Sequence, residues 1–397
     1  MSTALPNGAQ TGGAQTGGAL DGIRVVELAR ILAGPWIGQT LADLGADVIK
    51  VESPAGDDTR TWGPPWIDHA SGRAAAYYHS CNRGKRSVIA DFRNADDLAM
   101  VKALIGTADV VVENFKVGGL ARFGLDYDSL KAEHPRLVYC SVTGFGQTGP
   151  YAHRAGYDLA IQAMSGVMDL TGEPDRPPQR LGVAFADIFT GLYGTIAIEA
   201  ALLQRERTGQ GQHIDMGLLD SMIGVLGNQA MNYLATGKSP KRIGNAHPSI
   251  VPYQEFPCSD GHIIIACGND GQFERLAGLL DLGEDALAEN RTNAQRVDNR
   301  EQLTTHIANV MQHNSRGYWL DALEQAGIPA GPINTVAEAL DDPQVAHRGI
   351  RIERDGIPGI RSPIHMSGAP VGETGRSPGH GEHTRDIRRE LGLDGDG

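Results

Sequence analysis

The 397-residue chain is long enough for two or three domain-sized units, and its 41% hydrophobic and 21% charged residues describe an ordinary globular protein. Acidic residues outnumber basic ones 48 to 35, and the net charge of −13 excludes a generally basic, nucleic-acid-binding surface. No apolar run approaches the roughly 18 residues of a bilayer span. The scattered cysteines (Cys81, Cys140, Cys258, Cys267), without Cys-x-x-Cys or His pairs at metal spacing, point to a reduced, cytoplasmic setting without a metal.

Residues 1–20 repeat Gly-Ala-Gln-Thr-Gly-Gly and read as a disordered tail. Order then begins with a strand at 23–28, a helix at 34–44 and a strand at 48–52, a βαβ unit and hence a parallel sheet. The first β-to-α turn, Arg30-Ile-Leu-Ala-Gly-Pro35, lacks Gly-x-Gly-x-x-Gly, so the common dinucleotide cradle is absent. Gly56 to Pro65 is too rich in breakers for regular structure. Strands follow at 87–92, 110–114 and 137–142, with a helix at about 96–106. The helix of 188–207 leads to a short strand at 213–218 and a helix from Asp220 to about Thr236. A long loop (237–257), a strand at 261–267, helices near 271–280, 299–312 and 315–326, and a loop at 328–333 suggest a smaller α+β domain. The expected division is therefore 21–224 for a large domain, 225–330 for a small one, and 331–397 returning to the large domain with strands at 350–354 and 360–363.

Three loops beside strands carry cations: Arg30, then Lys85 and Arg86 in Asn82-Arg-Gly-Lys-Arg-Ser87, then Lys116 and Arg122. Taken as strand exits, they share the carboxyl edge of a parallel sheet, and cations gathered there in an acidic protein suggest a phosphorylated ligand. Polar surface loops are the plainer account of the same residues. In Arg180-Leu-Gly-Val-Ala-Phe-Ala-Asp187 a single carboxylate stands between a small-residue run and a helix. By itself Asp187 is better read as an N-cap, whose helix dipole would keep it ionised, than as a catalytic acid.

Leu28-Ala-Arg-Ile-Leu-Ala-Gly-Pro35, Leu44-Gly-Ala-Asp-Val-Ile-Lys-Val-Glu52, Gly56-Asp-Asp-Thr-Arg60, Asn82-Arg-Gly-Lys-Arg-Ser87, Val112-Glu-Asn-Phe115, Gly144-Phe-Gly-Gln-Thr-Gly-Pro150 and Ala186-Asp187 stand in the order of one family. From about Leu20 to Leu393 the chain resembles the class III CoA-transferases, which include α-methylacyl-CoA racemase. Arg154-Ala-Gly-Tyr-Asp158, His247-Pro-Ser-Ile-Val-Pro-Tyr-Gln254 and Gly331-Pro-Ile-Asn334 resemble its succinyl-CoA:glutarate subgroup. The resemblance implies an α/β fold, with a Rossmann-like large domain and a smaller α+β domain in a ring-shaped subunit, and two rings interlocked as a homodimer. It implies CoA transfer from succinyl-CoA to a dicarboxylate such as glutarate, with acyl-CoA as a substrate and no resident cofactor.

Asp187 stands at the position of the family's nucleophile. By resemblance, Ile31, Leu32, Ala33, Asn82, Lys85, Arg86, Asn114, Phe115, Lys116 and Arg122 would hold CoA. Arg60, Arg154, His247 and Tyr157 are the candidates to meet the acid, and the loop 244–254 to exclude water. The racemase branch carries Gly-His-Asp where this chain has Gly156-Tyr-Asp158, and a phenol is a poor proton acceptor near neutrality. A catalytically silent CoA-binding protein is the remaining alternative.

Overall fold

A computed structural model describes residues 17–70, 72–372 and 374–393, so the expected tail lies outside the described residues as far as residue 16. The chain forms two compact units: the chain through Ser165 with Gly182–Gly227 and everything from Ala346, and Gly166–Leu181 with Asn228–Val345. Gly166–Leu181 joins the second unit because Arg242 donates to the Asp169 carbonyl and carboxylate, both at 2.9 Å, and Gly244 N–H donates to Gly172 O.

The first unit is built on six parallel strands: β1 (Arg24–Glu27), β2 (Asp47–Glu52), β3 (Arg86–Ile89), β4 (Val110–Glu113), β5 (Val138–Thr143) and β6 (His213–Gly217). Their order is β3-β2-β1-β4-β5-β6. Val25, Val26 and the three valines of β4 are wholly buried, as expected of strands covered on both faces. The order reverses between β1 and β4, which opens a crevice at the carboxyl edge where α/β proteins bind ligands. Its helices include α1 (Ala33–Asp43), α2 (Ala95–Gly106), α3 (Asp158–Met164), α4 (Phe185–Thr208) and α5 (Leu218–Gly224). The continuous helix expected to Thr236 breaks near Gly227, which has φ +55°, and resumes as α6 (Asn228–Thr236) in the second unit.

α4 is long and apolar enough by composition to cross a bilayer, yet one face packs against α1 and its buried Arg205 pairs with Asp109 at 2.9 Å. Two glycines permit that packing. A Cβ on Gly191 would lie 3.0 Å from Trp36, and one on Gly194 would lie 2.5 Å from Ile37, so the helices approach at backbone distance. The outer edge of β3 is covered by the chain's last segment: His383 N–H donates to Ser87 O at 2.9 Å, and Ile89 N–H to Thr384 Oγ1 at 3.1 Å.

In the second unit, Tyr253–Cys258, Gly261–Ala266 and Ala330–Pro332 form an antiparallel sheet around Phe256, Ile263, Ile265, Phe273 and Trp319. The first and third replace expected loops; Gln254, Glu255 and two prolines interrupt their apolar pattern. In the first unit the expected strand at 360–363 is instead Ile357–Ile360, paired with Arg351–Arg354 across Asp355-Gly356, both at positive φ, a two-residue hairpin turn.

Beneath the β1–α1 turn lies a cluster of buried ions. Lys50 Nζ reaches Glu27 Oε1 (2.9 Å), Asp57 Oδ2 (2.9 Å) and the Ala29 carbonyl (2.8 Å). Lys85 Nζ reaches Glu27 Oε2 (2.7 Å), Asn82 Oδ1 (2.8 Å) and the Pro35 carbonyl (2.8 Å). Burial opposes the Lys50 charge, but the pull of Glu27, Asp57 and Glu52 outweighs it and holds that ammonium above the usual lysine range. Glu27→Gln removes the carboxylate shared by both lysines, and the expected cost is about 3–5 kcal/mol, read as a lowered denaturation midpoint. An unchanged midpoint would show that the cluster does not support the fold.

Candidate active site

The β1–α1 turn is gripped along its length. Besides the lysine bonds to Ala29 and Pro35, the Asp57 carboxylate accepts from Ile31 N–H at 3.3 Å. Asn114, at the exit of β4, accepts from Arg30 N–H (3.0 Å) and donates to Arg30 O (2.6 Å). Ile31 sits at φ +74°, an outlier for a β-branched residue that persists because these bonds over-determine it. The turn thereby presents the first free amide of α1, on Ala33.

That amide lies beside the carboxylate of Asp187 and favours its ionised form. Asp187 is the third residue of α4, whose N-cap, Ala184, offers no side-chain bond. It makes no cap bond in its own helix, contrary to what local sequence favoured, and lies instead beside the amide that starts a neighbouring one. Asp158 serves the α4 end instead: Oδ1 accepts from Ala186 N–H at 3.0 Å and Oδ2 from Gln162 Nε2 at 2.8 Å. Burial first, and then the negative charge of Asp158, push the Asp187 carboxyl up to about 7 against the pull of the Ala33 amide. The helix dipole expected to keep it ionised is outweighed.

Asp187 lies on the wall of a cavity of about 390 Å³ with Ile31, Ala33, Asn114, Lys116, Arg154 and Tyr157. A second cavity, of about 500 Å³, shares Arg30, Phe115 and Arg122 with the first and adds Arg93. Both open at the crevice between β1 and β4. Arg154 lies 3.9 Å over the Tyr151 ring, and Tyr157 is 63% exposed.

Of the expected CoA residues, Ile31, Ala33, Asn114, Phe115, Lys116 and Arg122 gather at these cavities. Leu32 is buried as the N-cap of α1 and lines neither. Asn82 and Lys85 are corrected: both are buried, and their polar groups are spent on Tyr78 O, Pro35 O and Glu27. Arg86 is corrected too. It begins β3 rather than ending it, so it lies at the amino edge, bound to Asp47 (2.7 Å) and Glu390 (2.5 Å). The cation on the exit of β3 is Arg93, which sequence reasoning passed over although it follows the strand closely.

Among the candidates for the acid, Arg60 is also corrected, since it is held in a bidentate pair with Glu52 (2.7 Å) under the Tyr78 ring. Arg154 and Tyr157 line the Asp187 cavity. His247 belongs to the second unit, where its ring lies against Tyr253. Tyr77 was not anticipated; burial, then the charge of Asp187, hold its phenol well above the usual range.

A family model described as CoA-transferase family III matches residues 20–384. The succinate–glutarate CoA-transferase of Agrobacterium fabrum is 54% identical over 384 residues, 94% of this chain and 95% of that one. The human succinyl-CoA:glutarate CoA-transferase is 41% identical, with 94% and 86% covered. A crystal structure of a CAIB/BAIF family protein from Brucella suis superposes with a TM-score of 0.87 at 62% identity, covering 95% of this chain and all of that one.

The raised acid has a stability consequence whose sign follows from its direction. A carboxyl held above its unfolded value supports folding below that value and loses this contribution as pH rises through about 7. Asp187→Asn, which carries no charge, is expected to raise the melting temperature above about pH 7, by progressively less as the pH falls, and to leave it unchanged only near the ordinary carboxylate value of 3.8. Equal melting at every pH would count against the raised acid.

Proposed function

The chain belongs to CoA-transferase family III, and from that membership we propose that it moves CoA from succinyl-CoA to a dicarboxylate such as glutarate through a covalent thioester on Asp187. The observation that carries this reading is the Asp187 carboxylate on a cavity wall with Arg154 and Lys116, next to a second cavity with Arg93 and Arg122. Two such cavities suit a ligand with an acyl end and a phosphorylated end. Arg122 is a cation for the phosphates, and Arg30 and Arg93 join it by exchanging their exposed pairs with Asp58 and Asp91, each at 2.8 Å, for phosphate oxygens, while Asn114, Phe115 and Lys116 flank the path between.

The reaction runs in balanced steps. The ionised Asp187 carboxylate attacks the succinyl thioester carbonyl; the C–S bond breaks, giving a mixed anhydride and CoA thiolate. The thiolate attacks the aspartyl carbonyl, releasing succinate and leaving aspartyl-CoA. A glutarate carboxylate attacks that thioester, and the freed thiolate takes the glutaryl group, restoring Asp187. A carboxyl raised to about 7 is a more basic, hence stronger, nucleophile once ionised, at the cost of being partly protonated near neutrality. The Ala33 amide supports each oxyanion that forms on the aspartyl side. Arg154 meets the far carboxylate of the dicarboxylate.

An interlocked homodimer belongs to the same reading. Leu192, Tyr193 and Ile196 are exposed on α4 and form a surface suited to a second copy; light scattering is expected to give the mass of two chains.

With succinyl-CoA alone, mass spectrometry of the intact enzyme is expected to show a CoA adduct that Asp187→Asn abolishes together with turnover. Arg154→Gln should raise KM for glutarate by about tenfold or more, with little change for a monocarboxylic acid. Transfer at the normal rate by Asp187→Asn would sink the mechanism.

A further inference from the structure

The second unit holds a cavity of about 310 Å³ between α6, the loop that follows it, and the start of the helix Arg300–Met311. Its charged lining is wholly cationic: Lys238, Lys241 and Arg300, with Gln229 and Asn232 beside them and no carboxylate on the wall among the described residues. Lys238 and Lys241 form no ion pair among the described residues, whereas the neighbouring Arg242 is neutralised by Asp169 at 2.9 Å. Arg300 donates one nitrogen, Nη2, to the Pro248 carbonyl at 3.0 Å. Its other terminal nitrogen, Nη1, is buried and unbonded, and so is the carbonyl oxygen of Gln229 on the same wall.

A guanidinium withdrawn from water without an acceptor is costly, and the cost is recovered when an anion supplies both an acceptor and a charge. Burial alone pulls Arg300 below the ordinary arginine range. One water could accept a single hydrogen bond from Nη1 but would leave three positive charges unbalanced.

We propose that this cavity binds a small dianion, a phosphate or a short dicarboxylate, with Arg300 as the directional donor and Lys238 and Lys241 as charge partners. The buried Gln229 oxygen favours an occupant that also brings a donor, such as a protonated phosphate or carboxyl, or a bridging water. The site needs neither Asp187 nor the transfer reaction.

Isothermal titration of the full-length protein with inorganic phosphate, and separately with glutarate, in the absence of any CoA thioester tests it. At least one probe is expected to bind, with affinity weakened about tenfold or more by Arg300→Gln and by Lys238→Gln with Lys241→Gln, and unchanged by Arg154→Gln. Binding of phosphate alone identifies a phosphorylated ligand, and binding of glutarate alone a dicarboxylate. Glutarate heat that only Arg154→Gln removes belongs to the Asp187 cavity and overturns this site. So does the absence of binding by either probe, or equal affinity in the wild type and the lysine variant. Should Arg300→Gln fail to fold, the two exposed lysines decide the question, because their side chains carry no internal bond among the described residues.

Discussion

Two lysines buried on Glu27, one of them also held by Asp57, fix the turn on which the rest of the first unit depends. Each member compensates another that would be intolerable alone, so the turn is left with a single arrangement rather than a choice of several. The constraint propagates outward in short steps. Lys50 and Lys85 set the carbonyls at either end, Asp57 holds Ile31 in a conformation it would not adopt freely, and the Ala33 amide is left aimed at Asp187. Asn114 ties the same turn to the β4 exit, so the two sides of the crevice keep one register. A net-acidic chain thus uses its innermost cations for shape and its peripheral ones for charge.

The βαβ opening, the parallel sheet and the long helix after Asp187 were legible because their apolar patterns are long and local. The strand Tyr253–Cys258 was not, because glutamine, glutamate and proline interrupt it and only the sheet partner reveals its buried side. At the cavities, Lys116 and Arg122 stood out because they follow a strand, whereas Asp187 and Asn114 were singled out by the family resemblance, local sequence alone favouring a cap for Asp187. Lys85 and Arg86 look the same in sequence but precede their strand, and Arg60 looks free until Glu52 is folded beside it. Local sequence reports that a cation is present; whether its charge is already taken depends on residues brought in from elsewhere in the fold.

Asp187 and Asp158 show how position divides one chemistry into two roles. Asp158 spends its oxygens on the Ala186 amide and Gln162, while Asp187 faces a cavity. Their mutual repulsion is held by the bond from the Ala186 amide to Asp158, which ties the start of α3 to the start of α4. In the proposed mechanism, reactivity comes from an anion made uncomfortable by its surroundings rather than from an added base.

The edge of β3 carries a different kind of consequence. Its covering bonds come from His383 and Thr384, almost three hundred residues beyond Ser87 and Ile89. During synthesis the sheet can assemble through β6 long before that cover has left the ribosome, so a nascent chain carries an unprotected strand edge for most of its translation. Chains halted late, after the second unit but before His383, would be complete in the linings of all three cavities yet prone to stick to one another along that edge.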